Sequence, residues 1–349
     1  VVLPVHNGED QLEAAVDSIL GQTFDDLELI VVDDGSTDRS PAVLQEVARR
    51  DPRVRVCRQE HGGIVAALNR GAGLARAPYL ARMDADDVAV PDRLAKQVTF
   101  LDTNPGVALV GGSVEYILGE GRRLRLRSLP TEPADIADRL MAGKHCFVHP
   151  TVMMRTEALA QVGGYRPAFE GAEDADLWLR LAERFPLANL PDVVLAKRVH
   201  PGQVSTRRME RGIVRLLAAQ AAARVRRATG QEPLRADEEI TTSTLRRLGV
   251  DERQLRHELL RGYRTALRAF HEAGDSEGAI RLFRDVRMPW RIRYALRADY
   301  ALALLRQAKR DYAGRRWVRS GLGVVHACVI RPSLPLAKLA TRARSVIPG

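Results

Sequence analysis

Leu27-Glu28-Leu29-Ile30-Val31-Val32-Asp33-Asp34-Gly35-Ser36-Thr37-Asp38 joins an apolar run to an abrupt acidic turn. An apolar run of this length without alternation, closed by turn residues, predicts a buried strand. Upstream, residues 1–5 form a similar β-branched run. A polar loop follows, then Leu12, Ala15, Val16, Ile19 and Leu20 at helical spacing. Downstream, Ser40-Pro41 predicts an N-cap with proline in the first helical turn. Val54-Arg55-Val56 predicts a third strand, 64–75 a helix, and 79–83 a fourth strand ending in acidic residues. Strand, helix and strand in repetition imply right-handed crossovers and a mostly parallel central sheet. Ligands bind beyond the carboxyl ends of such strands, where both acidic clusters fall.

Residues 107–114, 149–154 and 193–199 predict further strands, and 174–184 an amphipathic helix. After Gly202 the sequence becomes Arg/Ala/Leu-rich and helical, so a domain over 1–205 and an all-α region over 206–349 are expected. Within the latter, residues 273–278 recur loosely as 309–314. That offset suits either helix-turn-helix repeats or an ordinary small bundle.

The net charge of +10 conceals a division. Residues 1–200 carry 23 Lys/Arg and 30 Asp/Glu, whereas the remainder carries 31 and 14. Two regions with different tasks are implied. Hydrophobic residues at 45% suffice for a core and exclude a broadly disordered chain. Cys57, Cys146 and Cys328 are far apart, which argues against a disulfide scaffold or cysteine zinc site and predicts a reducing, cytoplasmic setting. No apolar run approaches the ~20 residues of a membrane span. The chain opens on Val1-Val2-Leu3 without a methionine, as a strand already under way, so preceding residues are expected.

The chemistry concentrates in Met83-Asp84-Ala85-Asp86-Asp87. Three carboxylates within four positions repel one another, so a positive partner is expected. Their oxygens suit hard divalent ions that also hold phosphate oxygens, such as Mg²⁺ or Mn²⁺. Taken alone, the pattern is more often a solvated acidic turn. Asp33-Asp34 adds a second acidic pair at the same sheet edge, and Pro4-Val5-His6-Asn7-Gly8-Glu9 supplies hydrogen-bonding side chains after the first strand. Glu173-Asp174-Ala175-Asp176 places carboxylates at a helix start, where they cap the helix or serve as a general base.

In order and spacing these stretches resemble the family 2 glycosyltransferases, over about residues 1–205. The same order includes Gln22-Thr23-Phe24, His61-Gly62-Gly63, Ala67-Leu68-Asn69, Pro91-Asp92-Arg93-Leu94, His149-Pro150-Thr151-Val152, Gly163-Gly164-Tyr165 and Arg198-Val199-His200. The resemblance implies a GT-A type α/β nucleotide-sugar-binding sandwich. It places Pro4, His6, Asn7 and Glu9 around the base and ribose, with Asn69 also at the nucleotide sugar. Asp34 would accept a hydrogen bond from the base, favouring uridine or another imide-bearing nucleotide. Asp84 would approach the ribose, Asp86 would hold a Mn²⁺ or Mg²⁺ ion, and Asp174 would deprotonate the acceptor hydroxyl. His200 matches an additional metal-ligand position in some relatives and is equally read as a loop histidine. Processive members carry Gln-x-x-Arg-Trp. Gln203-Val204-Ser205-Thr206-Arg207 stands here instead, which predicts single-sugar addition.

The expected function is an inverting, metal-dependent transfer from a nucleotide sugar, UDP-linked by preference, to a saccharide or lipid-linked saccharide acceptor. A degenerate nucleotide-sugar-binding scaffold is the alternative. A nucleotidyltransferase is disfavoured, because no glycine-rich, lysine-bearing phosphate loop opens the chain. Residues 317–344 mix apolar residues with Arg and Lys, which suits either peripheral contact with an anionic membrane at its inner face or a solvated bundle face. Aromatics total only 5% and no recognised motif accompanies the charge, so nucleic-acid binding is not expected.

Overall fold

The computed structural model describes residues 1–118, 121–199, 206–235, 238–272, 275–285 and 290–313. The first three strands, β1 (Val2–Val5), β2 (Leu29–Asp34) and β3 (Val54–Gln59), form a parallel sheet in the order β1-β2-β3. They alternate with α1 (Leu12–Leu20), α2 (Ser40–Arg50) and α3 (Ile64–Leu74). The run at the heart of β2 is apolar throughout because both its faces are covered. Leu29 and Val31 pack into a core with Leu12, Val16, Ile19 and Leu44, while Ile30 and Val32 meet Ala67 on the other side. Burying each such side chain contributes roughly 1.5–3 kcal/mol.

A second sheet comprises β4 (Tyr79–Ala81), β5 (Val88–Ala89), β6 (Leu109–Leu118), β7 (Arg122–Arg127), β8 (Met153–Arg155) and β9 (Leu187–Val199). Its order is β4-β8-β6-β9-β5, with β7 paired to β6. Only β6 and β9 pair in parallel. The α/β class holds, and among the described residues the parallel strand pairs are those of the first sheet and this one. Val2 bridges Arg82 in parallel, and Met83 N–H donates to the Val2 carbonyl at 3.1 Å, which sets the acidic run beside β1. The expected strand at 149–154 begins instead as a 3-10 turn over His149–Thr151, where Pro150 has no N–H to give a sheet. β6 and β9 approach closely at Gly111 and Gly112. A Cβ there would lie 2.2 Å from Asn189 Oδ1 and 2.7 Å from Val194 respectively.

Around this sheet lie α4 (Arg93–Thr103), α5 (Pro133–Met141), α6 (Thr156–Gln161) and α7 (Glu173–Ala182). Further helices are α8 (Thr206–Thr229), α9 (Thr242–Arg247), α10 (Glu252–Glu272), α11 (Ser276–Asp285) and α12 (Trp290–Ala313). The compact units part differently from the expected cut at 205/206. Residues 214–250 belong with 1–199, and the second unit comprises 200–213 and 251–349. Charge pairs explain this: Arg226 binds Glu183 (2.7 Å), and Glu232 receives both Arg226 and Arg166 at 2.9 Å.

In the second unit, Tyr263, Leu267, Phe270, Leu282, Phe283, Leu296, Tyr300 and Leu304 share one core, with Phe283 stacked on Tyr300 at 4.0 Å. Tyr263 also donates to Glu210. The first copy of the loose repeat falls at the α10–α11 junction, whereas residues 309–313 are the end of α12. His200, Gln203, Cys328, Gly314 and the basic stretch 317–344 lie outside the described residues. Among the described residues, no helix is long and apolar enough to cross a membrane.

Candidate active site

The loops after β1 and β2 are tied together by side chains. Asn7, at φ +54°, accepts the Thr37 N–H through Oδ1 at 2.8 Å, and its own N–H donates to Ser36 Oγ at 3.0 Å. Glu9 Oε2 accepts the Arg39 N–H at 2.7 Å. Asn7 and Glu9, expected at the nucleotide, thus hold the loop that presents Pro4 and His6. Pro4 is buried and His6 exposed.

Asp34 ends β2, 4% exposed, and organises the next loop. Its carboxylate accepts from Gly62 N–H (2.8 Å), Gly63 N–H (2.9 Å) and Gln59 Nε2 (2.7 Å). Burial would raise its pKa, but the hydrogen bonds from Gly62, Gln59 and Gly63 outweigh burial and hold it below the usual carboxylate range. Gly63 sits at φ +86°, and a Cβ there would meet Glu170 Oε1 at 2.4 Å. His61 Nδ1 lies 2.9 Å from Asp34 Oδ2, and the His6 and His61 rings are 4.1 Å apart. The two rings are tilted by 30°, and His6 Nδ1 lies 2.8 Å from the Asp34 backbone carbonyl. His61 was in the expected pattern without a role, because only the fold brings it to His6.

The acidic run follows β4. Asp84, Asp86 and Asp87 bring carboxylate oxygens within 4.8 Å of one another, a donor set that fits a hard divalent ion. Basic side chains accompany them, Arg198 through its Nε–H donating to the Asp86 carbonyl at 3.1 Å. Arg82 Nη2 lies 2.5 Å from Asp84, and Lys197 Nζ lies 3.1 Å from Asp84 and 3.2 Å from Asp87. Burial would raise Asp84, but Arg82 and Lys197 hold it well below the carboxylate range. Burial pushes Asp87 upward against the pull of Lys197, while at Lys197 the charges of Asp84 and Asp87 outweigh burial and raise its pKa. The ammonium form prevails, because Lys197 faces Asp84 as well as Asp87. Asp87 is fully buried and also accepts the Arg198 N–H at 2.8 Å. Neither Arg82 nor Lys197 was foreseen; nothing in the spacing of the acidic run points to residue 197.

A buried cluster carries the site towards α7. His149 Nε2 is 3.0 Å from the Tyr165 hydroxyl, and its ring meets Trp178 edge-on at 5.6 Å. Burial, with Arg82 nearby, keeps His149 neutral. Asn69, expected at the nucleotide sugar, clasps the Tyr165 backbone, donating to its carbonyl at 2.8 Å and accepting its N–H at 3.0 Å. Asp176 and Arg180 pair at 2.8 Å within α7, and Arg180 also donates to the Gly164 carbonyl at 2.8 Å. Asp174 lies in the first turn of α7, half-buried, its Oδ1 accepting the Ala175 N–H at 2.7 Å.

Beside it, burial and the Asp174 charge push Glu173 up to about 7. Because the folded value exceeds the unfolded one, the ionised form burdens the native state. Stability is full below the ordinary glutamate range and falls as pH rises towards 7. Glu173→Gln is therefore expected to raise stability at pH 8 by about 1–3 kcal/mol and to leave it unchanged at pH 4. Urea unfolding at the two pH values checks this; an equal effect at both would remove the burial argument.

The first sheet is parallel, the acidic run lies beside β1, and α7 opens on three carboxylates. The pattern described as Glycosyl transferase family 2 matches residues 1–163. The O-antigen biosynthesis glycosyltransferase WbnJ of Escherichia coli is 32% identical over 204 residues, 57% of this chain and 79% of that one. The amylovoran biosynthesis glycosyltransferase AmsE of Erwinia amylovora is 33% identical over 212 residues, 60% and 79% of the two chains. The chain belongs to glycosyltransferase family 2. Among solved structures, the mannosyltransferase PcManGT from Pyrobaculum calidifontis, in complex with GDP-Man and Mn²⁺, superposes with a TM-score of 0.51 at 22% identity, covering 94% of this chain and 85% of that one. Residues 1–349 of S. aureus TarS, in complex with UDP-GlcNAc, give 0.53 at 15%, covering 93% and 89%. Both share the fold.

Proposed function

We propose that this glycosyltransferase moves a single sugar, with inversion, from a nucleoside-diphosphate sugar to an acceptor hydroxyl in surface-polysaccharide or glycolipid assembly. The observation that carries the reading is the gathering of Asp84, Asp86 and Asp87 within 4.8 Å beside the loops of Asp34 and His6. Asp86 would hold Mn²⁺ or Mg²⁺. Bound there, the ion supplies positive charge against the diphosphate oxygens. Asp34, His6 and Pro4 receive the base, and an imide N–H facing Asp34 favours uridine. Asp174 takes the acceptor proton as the hydroxyl oxygen attacks the anomeric carbon. The bond to the diphosphate breaks on the opposite face, which inverts the centre.

GDP-Man and Mn²⁺ in the PcManGT complex and UDP-GlcNAc in the TarS complex support the donor class. The parts of WbnJ in O-antigen biosynthesis and of AmsE in amylovoran biosynthesis support polysaccharide assembly. Screening UDP- and GDP-sugars for Mn²⁺-dependent release of nucleoside diphosphate tests the reading. Acceptor-dependent sugar transfer is the expected result. Binding without turnover would instead identify a scaffold, and pyrophosphate release a nucleotidyltransferase.

A further inference from the structure

Lys197 occupies the acidic centre as a cation supplied by the protein itself. Its position follows from pairing: Val88 and Ala89 of β5 face Ala196 and Leu195 of β9, so the residue after Ala196 arrives beside the one before Val88. The ammonium reaches Asp84 at 3.1 Å and Asp87 at 3.2 Å, with its side chain only 22% exposed. Arg82 holds the other oxygen of Asp84 at 2.5 Å. With the Arg198 guanidinium donating to the Asp86 carbonyl at 3.1 Å, three carboxylates face three basic side chains. A divalent ion arriving alone meets a nearly balanced centre, and two of its carboxylates already serve an ammonium. A nucleoside diphosphate brings its own negative charge and oxygen donors, which shift that balance in favour of the ion.

We propose that Lys197 competes with the divalent ion for Asp84 and Asp87, so that the ion joins the centre only together with the nucleotide diphosphate. The inference rests on the metal-dependent reading above but concerns binding, not turnover. Lys197 acts here through the carboxylates, as a positioning residue.

Mn²⁺ binding to the whole chain, followed by the electron paramagnetic resonance signal of the free ion at pH 7.5, tests it. The wild type is expected to bind Mn²⁺ weakly alone and at least tenfold more tightly with saturating UDP or GDP. Lys197→Met is expected to bind Mn²⁺ alone at least tenfold more tightly than the wild type. Lys197→Gln should do the same while retaining a hydrogen-bond donor for Asp87, which guards against a folding defect in the methionine variant. A wild type whose affinity does not change with nucleotide overturns the inference. So do neutral variants that bind no tighter, or more weakly, than the wild type; either leaves the transferase reading standing. Absence of Mn²⁺ binding by every protein, with and without nucleotide, overturns both.

Discussion

Asp174→Asn is expected to lower kcat by about 10²–10⁴-fold, with little change in the KM for the nucleotide sugar. The asparagine keeps Oδ1 as acceptor for the Ala175 N–H, so the first turn of α7 is retained and only the proton-accepting charge is lost. The control is Glu173→Gln. Glu173 is the neighbouring carboxylate, its pKa raised to about 7, and it accepts the Gly171 N–H at 2.5 Å. Its tuning makes it the natural rival for the role of base. If transfer survives Asp174→Asn and collapses in Glu173→Gln, the base is Glu173. Comparing log kcat against pH for the two variants discriminates further, because loss of the base removes the acidic limb of the profile.

Asp86→Asn is expected to abolish Mn²⁺ binding and to reduce sugar transfer by about 10²–10³-fold, with no more than a small change in melting temperature. Asp86 is half-buried, so the amide is tolerated. Asp87→Asn should behave in the opposite proportion. Asp87 is fully buried, its Oδ1 accepting the Arg198 N–H and its Oδ2 facing Lys197, so the amide of asparagine sets an NH2 donor against one of these two donors. A clear fall in melting temperature should therefore accompany its loss of activity. Mn²⁺-dependent transfer persisting in Asp86→Asn would move the ion-holding role to its neighbours.

The nucleotide half of the fold was legible because its signals are local. Leu29 to Val32 are apolar without alternation since α-helices cover both faces, and Leu12, Ala15, Val16 and Ile19 lie on one helical stripe. β7 gave no such signal. Its Arg122–Arg127 sequence is largely exposed, with Leu126 59% open to solvent, so no burial pattern marks it as a strand. The candidate site divides the same way. Asp34, Asp84, Asp86 and Asp174 stand in short patterns that sequence alone exposes. The work of Asn7, Glu9 and Asn69 was not legible, because each meets a loop 30 or more residues away. Lys197 was equally hidden: its partnership with Asp84 spans 113 positions and exists only through the pairing of β5 with β9. The interleaved boundary at 214–250 escaped notice since the change in composition comes earlier than the change in packing partner.

That same long separation orders the birth of the protein. During synthesis, Asp84, Asp86 and Asp87 leave the ribosome well before the lysine that will stand among them, 113 and 110 positions ahead of it for the first and last of the three. At about 5–20 residues per second, the wait lasts roughly 6–20 s. Throughout it the β1–β3 sheet can form from its own contiguous sequence, while the carboxylates have only each other, Arg82 and solvent. The nascent chain therefore carries its acidic run before it carries the lysine that will stand there. A ribosome stalled before Lys197 emerges would display the former without the latter.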